Sequence, residues 1–524
     1  MTRISLVITL ALLFPARSGG QSPRQIGPPS LIVLVTVDQL RGDYLTRFQS
    51  QFKGGLARFT HAGAWFTNAH HDHAITETAP GHATLLSGRF PRSTGIADNI
   101  GGVDDAAAPL LGGAVGPSAS PARFRGTTLV DWLRARNSGT RTLSVSMKDR
   151  GAILPVGRSR AEVYWYSPDG RFTTSRYYRE SLPPWVERFN ARRLPQGFAG
   201  KIWNPLLPDS AYAEVDAESL EAGGIDYVFP HRLPLDSIAA ASRLPLTPWM
   251  DEITLALALE GIRELSLGTG RRTDVLAVSL SATDVIGHSY GPDSKEIHDQ
   301  MLRLDQGLGA FVDSLFAMRD SAGVAFVLTS DHGVATIPEI AARTLRPPPH
   351  RVDLSVPAAS LHARLLALGI EPGAIAIGPR TVRVERSARV SREQAVDAAL
   401  AAFAEDGRRI PGIARVDRFR DLLDADTATD AVARRWSHQF ADTSSVELVV
   451  TLTPFSIYGQ IVATHGSPLD YDSHVPLIFY GPAFRAGRFP EFVRTVDLAP
   501  TLARIAGLTP DERVDGVVLK QAIR

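Results

Sequence analysis

Three short apolar runs constrain the fold of this chain more than any other feature. Short continuous runs rich in β-branched residues are typical of strands that are buried on both faces of a parallel sheet. We therefore predict an α/β fold with a mostly parallel central sheet flanked by helices. The runs are LIVLVTV at 31–37, VLAVSL at 275–280 and VAFVLT at 324–329.

Metal-binding residue types follow these runs, and a fourth run, VPLIFY, is preceded by His474. Proteins with open parallel sheets bind their ligands just outside the carboxyl ends of the strands. The segments that follow these runs are therefore expected to meet at one edge of the sheet, although they are distant in sequence. Two zinc ions would use carboxylates and neutral imidazoles, usually three protein ligands for each ion. The candidate ligands are Asp38, Asp284, His288, Asp331, His332 and His474.

The spacing of two ligand pairs supports this prediction. Asp284 and His288 are four residues apart, so on a helical turn they face the same way. Asp331 and His332 are adjacent and need a turn to converge, which Gly333 permits.

A candidate nucleophile lies in the segment TETAPGHATLLSG at 76–88. Pro80 is suited to the first turn of a helix, which places Thr78 beside the helix N-terminus. Free backbone N–H groups and the helix dipole favour an anion there. A threonine hydroxyl is a poor nucleophile until a base or a metal lowers its pKa. Taken without the metal-binding motifs, Thr78 would instead be interpreted as an N-cap residue with a structural role only.

Composition excludes several classes of function. With 56 basic and 55 acidic residues among 524, the chain lacks the basic excess expected of a protein that has nucleic acid as a structural partner. It has no cysteine, so disulfides, thiolate metal sites and cysteine nucleophiles are excluded. Any zinc must be held by histidine and aspartate.

The N-terminus has the layout of a secretory signal. Arg3 precedes an apolar stretch at 4–14 and then small residues. The stretch is too short for a membrane span, which needs about 20 residues. We predict a signal peptide at 1–22 and a periplasmic or secreted protein with no stable membrane span.

The remaining chain is predicted to form one catalytic domain at 31–524 with two inserted cap subdomains. Residues 160–250 are rich in aromatic residues and proline and are typical of a loop-rich insertion. Residues 340–455 contain a strand–helix–strand pattern. Between the insertions, apolar residues at helical spacing over 296–316 predict an amphipathic helix.

Six motifs together resemble the alkaline phosphatase superfamily, and among its members the PafA-type enzymes, which have a threonine nucleophile. They are TETAPGHA, GIADN, MKDRGAI, SATDVIGH, TSDHG and HGSPLDYDSHVPLIFYG. The motifs span about 31–500 in the family's order. The resemblance implies one zinc ion on Asp284, His288 and His474. It implies a second on Asp38, Asp331 and His332, with Thr78 beside it as ligand and nucleophile.

The same resemblance implies the residues that contact the substrate. Asn99 resembles an asparagine that hydrogen-bonds a phosphoryl oxygen, and Lys148 and Arg150 resemble paired cations that contact the phosphoryl group. Their spacing would put both cations on one side of an extended segment, with Asp149 facing away. Ser279 stands where three-metal alkaline phosphatases have a glutamate that binds magnesium, which makes a third metal site doubtful.

The function that follows is an exported, zinc-dependent phosphomonoesterase that hydrolyses small phosphate monoesters through a phosphothreonine intermediate. A phosphodiesterase or nucleotide pyrophosphatase of the same superfamily is the nearest alternative. A diester has one ionisable oxygen fewer, so Lys148 and Arg150 favour monoesters. A non-enzymatic zinc- or phosphate-binding protein is the third alternative, and it would have no need of Thr78. Oligomeric state is left open.

Overall fold

A nine-stranded mixed sheet with helices on both faces forms the centre of the computed structural model, which describes residues 27–524. Its strand order is β17-β2-β16-β9-β1-β8-β3-β4-β5. The strands found within residues 27–524 are β1 (Leu31–Val37), β2 (Ala64–His70), β3 (Thr142–Ser146), β4 (Glu162–Ser167), β5 (Arg171–Thr173), β6 (Ile202–Trp203), β7 (His231–Arg232), β8 (Asp274–Leu280), β9 (Val324–Thr329), β10 (Arg351–Val352), β11 (Ile375–Ile377), β12 (Thr381–Val384), β13 (Ile413–Arg418), β14 (Val446–Leu452), β15 (Ile457–Tyr458), β16 (His474–Tyr480) and β17 (Gly487–Arg494).

Helices of four to 24 residues alternate with these strands. They are α1 (Tyr44–Arg47), α2 (Gly55–Ala62), α3 (Thr78–Leu85), α4 (Pro91–Thr94), α5 (Leu129–Arg136), α6 (Asp149–Ile153), α7 (Pro184–Ala191), α8 (Ser237–Arg243), α9 (Trp249–Glu264), α10 (Ala282–Tyr290), α11 (Lys295–Met318), α12 (Pro338–Ala341), α13 (Ser355–Ala367), α14 (Arg386–Arg389), α15 (Glu393–Arg408), α16 (Phe419–Leu423), α17 (Ala431–Gln439), α18 (Asp470–Ser473) and α19 (Leu498–Ile505).

Strand β1 is the central strand, and all seven of its residues are buried. It pairs in parallel with β8 on one side and with β9 on the other. Val33 and Val35 belong to a core that includes residues of α9 and α11, whereas Ile32 and Leu34 belong to the opposite core with α3, α5 and α19. The alternation of side chains along a strand requires these two layers. The predicted α/β class and the three predicted strands are confirmed.

The carboxyl ends of β9, β1 and β8 lie side by side because the three strands are parallel neighbours. Strand β16 runs antiparallel to β9, so its first residue, His474, lies at the same edge. The predicted amphipathic helix is also present as α11. It begins after Ser294, whose side chain accepts a hydrogen bond from the backbone N–H of Ile297.

A second, four-stranded antiparallel sheet is formed within the region predicted as the later insertion. Its order is β11-β12-β14-β13, and it has its own apolar core with residues of α13 and α15. A further cluster joins this unit to the main sheet, where Ile75 packs with Trp436 and Phe440. The inserted sheet is therefore fixed beside the segment that leads into α3.

The region predicted as the earlier insertion, 160–250, is partly integrated into the main sheet. Strands β4 and β5 extend the main sheet at its edge, and only the segments that follow them are rich in short 3-10 turns. The signal peptide predicted at 1–22 lies outside the described residues. Within residues 27–524, no helix combines the length and the apolar character that crossing a membrane requires.

One buried carboxyl group in the second half of this region has no compensating partner. Glu221 is 2% exposed, and its Oε2 has no hydrogen-bond partner among residues 27–524. Burial, with repulsion from Glu296 and Glu218, raises the pKa of Glu221 to about 9. The folded protein therefore keeps a proton there that an unfolded chain releases near its ordinary pKa of 4.5.

We expect the variant Glu221→Gln to gain stability relative to the wild type as pH rises from about 5 to about 9. Across this window the unfolded chain binds fewer protons at position 221 than the folded chain, so wild-type stability falls. Melting temperatures of both proteins at several pH values measure the effect. Glu371→Gln is the matched control, because it makes the same substitution at an exposed glutamate. Parallel wild-type and Glu221→Gln curves would contradict the prediction.

Candidate active site

Three aspartates meet at the carboxyl ends of the central strands. Asp38 follows β1, Asp331 lies two residues after β9, and Asp284 lies in the first turn of α10, just beyond β8. All three are buried. Burying several carboxylates together is unfavourable unless cations and hydrogen bonds compensate their charge.

Lys148 provides one such cation. Its Nζ lies 2.5 Å from Asp38 Oδ2 and 2.5 Å from Asp284 Oδ2. Burial alone would raise the pKa of Asp284, but Lys148 and His288 more than offset this and hold it well below its usual range. Burial and the nearby charge of Asp38 raise the pKa of Asp331 well above its usual range. The single ammonium of Lys148 therefore does not compensate the negative charge of all three carboxylates.

The histidines at this rim are oriented as metal ligands. The Nδ1 atoms of His288, His332 and His465 donate to the backbone oxygens of Ala463, Gly333 and Thr76, at 2.8, 2.9 and 2.8 Å. A carbonyl only accepts, so each Nδ1 carries a proton, and in the neutral ring Nε2 is an unprotonated ligand atom. These Nε2 atoms face carboxylates: His332 to Asp38 at 3.3 Å, His288 to Asp284 at 3.3 Å, and His465 to Asp284 at 3.7 Å.

Within residues 27–524, two groups of three side chains have ligand atoms within 4.8 Å of one another, and His332 belongs to both. They are Asp38, Asp331 and His332, and Asp284, His332 and His465. Asp331 Oδ2 has no hydrogen-bond partner among the described residues. Burial opposes a charged imidazole, yet Asp331, Asp38 and Asp284 raise the pKa of His332 to about 9. This buried cluster of carboxylates and imidazoles has the donor atoms that divalent cations bind.

His474 is not part of this cluster, which corrects the ligand set expected from the sequence. It begins β16 at the correct edge of the sheet, but its ring stacks on His70 with the ring centroids 5.0 Å apart. Its Nε2 donates to the backbone oxygen of Thr67 at 2.9 Å, and a Cβ atom on Gly42 would lie within 2.6 Å of the ring. His465 takes the place that the sequence reading assigned to His474.

Thr78 lies directly beside the aspartate and histidine cluster. It is the first residue of α3, and its Oγ1 is 3.4 Å from His332 Nε2 and 3.4 Å from Lys148 Nζ. The helix packs so closely on the strand-end loop that a Cβ atom on Gly81 would lie 2.3 Å from the backbone oxygen of Asp331. Glycine at position 81 therefore allows Thr78 to approach the candidate metal ligands.

Asn99 and Lys148 also come together at the N-terminus of α3. The Oδ1 atom of Asn99 accepts a hydrogen bond from the backbone N–H of Ala79 at 2.8 Å. This fixes the amide orientation and directs its Nδ2 donor group elsewhere. Arg150 is on α6, which packs against α3 and β3. Burial and the positive charge of Arg150 oppose the charged form of the nearby Lys148 ammonium, although the aspartates outweigh them and raise the pKa of Lys148.

The predicted extended segment for Lys148 and Arg150 is wrong. Asp149 is the first residue of α6, so only Lys148 retains an extended backbone conformation. In a helix, residues two apart do not share a face. Lys148 accordingly reaches Asp38 and Asp284, while Arg150 lies 3.6 Å from Asp149.

Gln39 is a site residue that the sequence analysis missed. Its Nε2 donates to Asp284 Oδ1 at 2.9 Å, and its backbone N–H donates to Asp331 Oδ1 at 3.2 Å. Gln39 has a φ of 65°, an uncommon conformation for a residue other than glycine, and such strain concentrates at functional sites. Apart from its position next to Asp38, no sequence pattern marks it.

Ser279 faces a histidine at the position considered for a third metal. Its Oγ lies 3.3 Å from His82 Nε2, and the same nitrogen is 3.4 Å from Asp331 Oδ2. Burial lowers the pKa of His82 to about 3, so this ring is neutral. Ser279 supplies a hydroxyl here rather than a carboxylate.

Residues 32–402 match the family model described as type I phosphodiesterase / nucleotide pyrophosphatase. The chain is 31% identical over 522 residues to alkaline phosphatase PhoK of Sphingomonas sp, a match that covers 93% of this chain and 90% of PhoK. It is 28% identical over 511 residues to alkaline phosphatase PafA of Elizabethkingia meningoseptica, covering 93% of each chain.

A crystal structure of alkaline phosphatase PafA has the same fold. It superposes with a TM-score of 0.86 at 26% identity, covering 95% of this chain and 100% of that one. That structure is a variant in which a threonine, an asparagine, a lysine and an arginine are substituted. Along the chain, the four positions have the same separations within each pair as Thr78 and Asn99, and as Lys148 and Arg150.

We expect His465→Ala to lose about one bound divalent ion per chain, because it removes one of roughly three protein ligands. His474→Ala is the matched control and should retain the wild-type metal content, since its Nε2 is bonded to Thr67. Elemental analysis after equilibration with zinc measures both. Metal loss in His474→Ala with none in His465→Ala would reverse the assignment.

Proposed function

The chain belongs to the type I phosphodiesterase / nucleotide pyrophosphatase family, and on that premise we propose that it is a zinc-dependent alkaline phosphatase acting on small phosphate monoesters. The proposed zinc ligands are Asp38, Asp331 and His332 for one ion, and Asp284, His288 and His465 for the other. Similarity to PhoK and PafA, both named alkaline phosphatases, supports the activity.

One observation carries this proposal: a buried hydroxyl lies against a buried cluster of carboxylates and imidazoles. Thr78 Oγ1 is 3.4 Å from His332 Nε2, and His332 is shared by both candidate ligand groups. A protein that only stored metal or phosphate would not need a hydroxyl at this point. Two bound zinc ions would supply positive charge at an attacking and a leaving oxygen.

The chain's own residues perform the remaining tasks. Thr78 Oγ1 forms a bond to phosphorus while the bond from phosphorus to the alcohol oxygen breaks, which gives a phosphothreonine and an alcohol. Water then attacks the phosphothreonine and releases phosphate and the free threonine. Because Thr78 is the first residue of α3, a phosphoryl group on its Oγ1 would lie near the backbone N–H of Thr78 and the positive end of the helix dipole.

We propose that Asn99 and Lys148 hold the phosphoryl group. Because Asn99 Oδ1 is bonded to Ala79, its Nδ2 is left to donate to a phosphoryl oxygen. Lys148 Nζ is 3.4 Å from Thr78 Oγ1, so it is within reach of a phosphoryl group attached to that oxygen. Arg150 is proposed as the second cation.

The preference for monoesters rests on these two cations. A monoester dianion has more charge for Lys148 and Arg150 to balance than a diester has. Phosphodiesterase activity is the second candidate, because the family model that matches this chain includes phosphodiesterases. Export to the periplasm or medium is proposed from the leader at 1–22 alone.

Thr78→Ala is expected to reduce hydrolysis of an aryl phosphate by several orders of magnitude, because it removes the atom that forms the covalent intermediate. Zinc content should be unchanged. Thr78→Ser is the matched control and should retain measurable turnover. Acid quenching of the wild type with labelled substrate should trap phosphate on Thr78. Normal turnover by Thr78→Ala would exclude the proposed nucleophile.

Arg150→Ala is expected to lower kcat/KM for an aryl phosphate by about 100-fold, a typical effect of losing one group that stabilises transition-state charge. The loss for a bis-aryl phosphate should be much smaller, because the diester has less charge to balance. Steady-state kinetics with both substrates measure the two losses. Equal losses, or a wild type that prefers the diester, would favour the phosphodiesterase.

A further inference from the structure

Arg380 extends from the inserted sheet to the segment that carries the nucleophile, and we propose that it is a positioning residue for the active site. It lies in the turn between β11 and β12. Its Nη1 donates to Glu77 Oε1 at 2.8 Å, and its Nη2 donates to the backbone oxygen of His465 at 3.0 Å. One guanidinium thus joins the residue before Thr78 to a proposed metal ligand. The inference rests on the proposed function.

A chain of hydrogen bonds continues from Arg380 to the nucleophile helix. The other carboxylate oxygen of Glu77, Oε2, accepts from the backbone N–H of Asn99 at 2.8 Å. Asn99 Oδ1 in turn accepts from the backbone N–H of Ala79 at 2.8 Å. Glu77 therefore holds the backbone of Asn99, whose side chain holds the first turn of α3.

The surroundings of Arg380 fix its side chain in one place. Its backbone oxygen accepts from the N–H of Val450 in β14 at 2.9 Å, which attaches the turn to the inserted sheet. A Cβ atom on Gly466 would lie 2.4 Å from Nη2, and Gly466 has a φ of 102°. The guanidinium is packed against a position where only glycine leaves it room.

The chemistry of this contact requires arginine rather than any cation. The two acceptors, Glu77 Oε1 and the His465 oxygen, are bound by two different nitrogens of one planar group. A lysine ammonium is a point charge without that fixed fork. The positive charge also balances Glu77, whose mostly buried carboxylate would otherwise repel a phosphoryl group held by Asn99.

We expect Arg380→Ala to lower kcat/KM for an aryl phosphate by about 10- to 100-fold, the usual range for residues that orient direct ligands. The inhibition constant for inorganic phosphate should rise, because Asn99 is no longer held. Arg380→Lys should recover only part of the loss. Arg383→Ala is the matched control: Arg383 lies on β12, 3.8 Å from Asp98, and has no hydrogen bond to Glu77 or His465.

A double-mutant cycle separates positioning from general stability. If Arg380 acts through Glu77, the variant Glu77→Ala/Arg380→Ala should be about as slow as the slower single variant, rather than showing the product of both losses. Multiplicative losses, or an Arg380→Ala variant that behaves like Arg383→Ala, would overturn the inference. If Arg380→Ala does not fold, Arg380→Lys and Glu77→Gln are measured in the same cycle.

Failure of this inference is distinguishable from failure of the proposed function. A wild-type protein that hydrolyses no phosphate ester would refute the function. Calorimetric binding of inorganic phosphate to the zinc-loaded protein then still tests the positioning role. Weaker phosphate binding in Arg380→Ala than in Arg383→Ala supports it, and equal binding contradicts it.

Discussion

The burial of three carboxylates at one edge of a sheet is the constraint on which the rest of the site depends. Asp38, Asp284 and Asp331 end or follow three adjacent parallel strands, and such proximity of like charges is unfavourable in a low-dielectric interior. Lys148 contacts two of them at 2.5 Å, but the raised pKa of Asp331 shows that one cation does not balance the group. Divalent ions would supply the additional positive charge that this arrangement requires.

Hydrogen bonds from the surrounding structure orient the histidines and aspartates of this cluster. Backbone carbonyls fix the tautomers of His288, His332 and His465, so that their Nε2 atoms face the carboxylates. Gln39 holds two aspartates from within the first turn after β1. Ligands held by backbone groups of a rigid sheet lose little freedom when metal binds, which favours a pre-formed site.

The sequence alone predicted those elements and site positions that depend on local residue patterns. The apolar runs became β1, β8 and β9, so Asp38, Asp284 and Asp331 met as expected. Helical spacing likewise located α11, and Pro80 placed Thr78 at the start of α3.

The direction in which a side chain points at the edge of the sheet could not be predicted from local patterns, because it depends on tertiary contacts. His465 and His474 both lie close to the rim, and only the tertiary contacts of His474 with Thr67 and His70 turn it away. The helix that begins at Asp149 changes the relation of Lys148 to Arg150. Arg380 comes from a distant inserted sheet, and no pattern near Thr78 points to it.

Anomalous X-ray diffraction from crystals of the zinc-loaded protein, recorded on both sides of the zinc absorption edge, tests the central claim most directly. The account predicts two zinc peaks. One would be bound by Asp38, Asp331 and His332, and the other by Asp284, His288 and His465, with Thr78 beside the first. Zinc bound elsewhere, or a zinc-saturated crystal with no peak among these side chains, would contradict it.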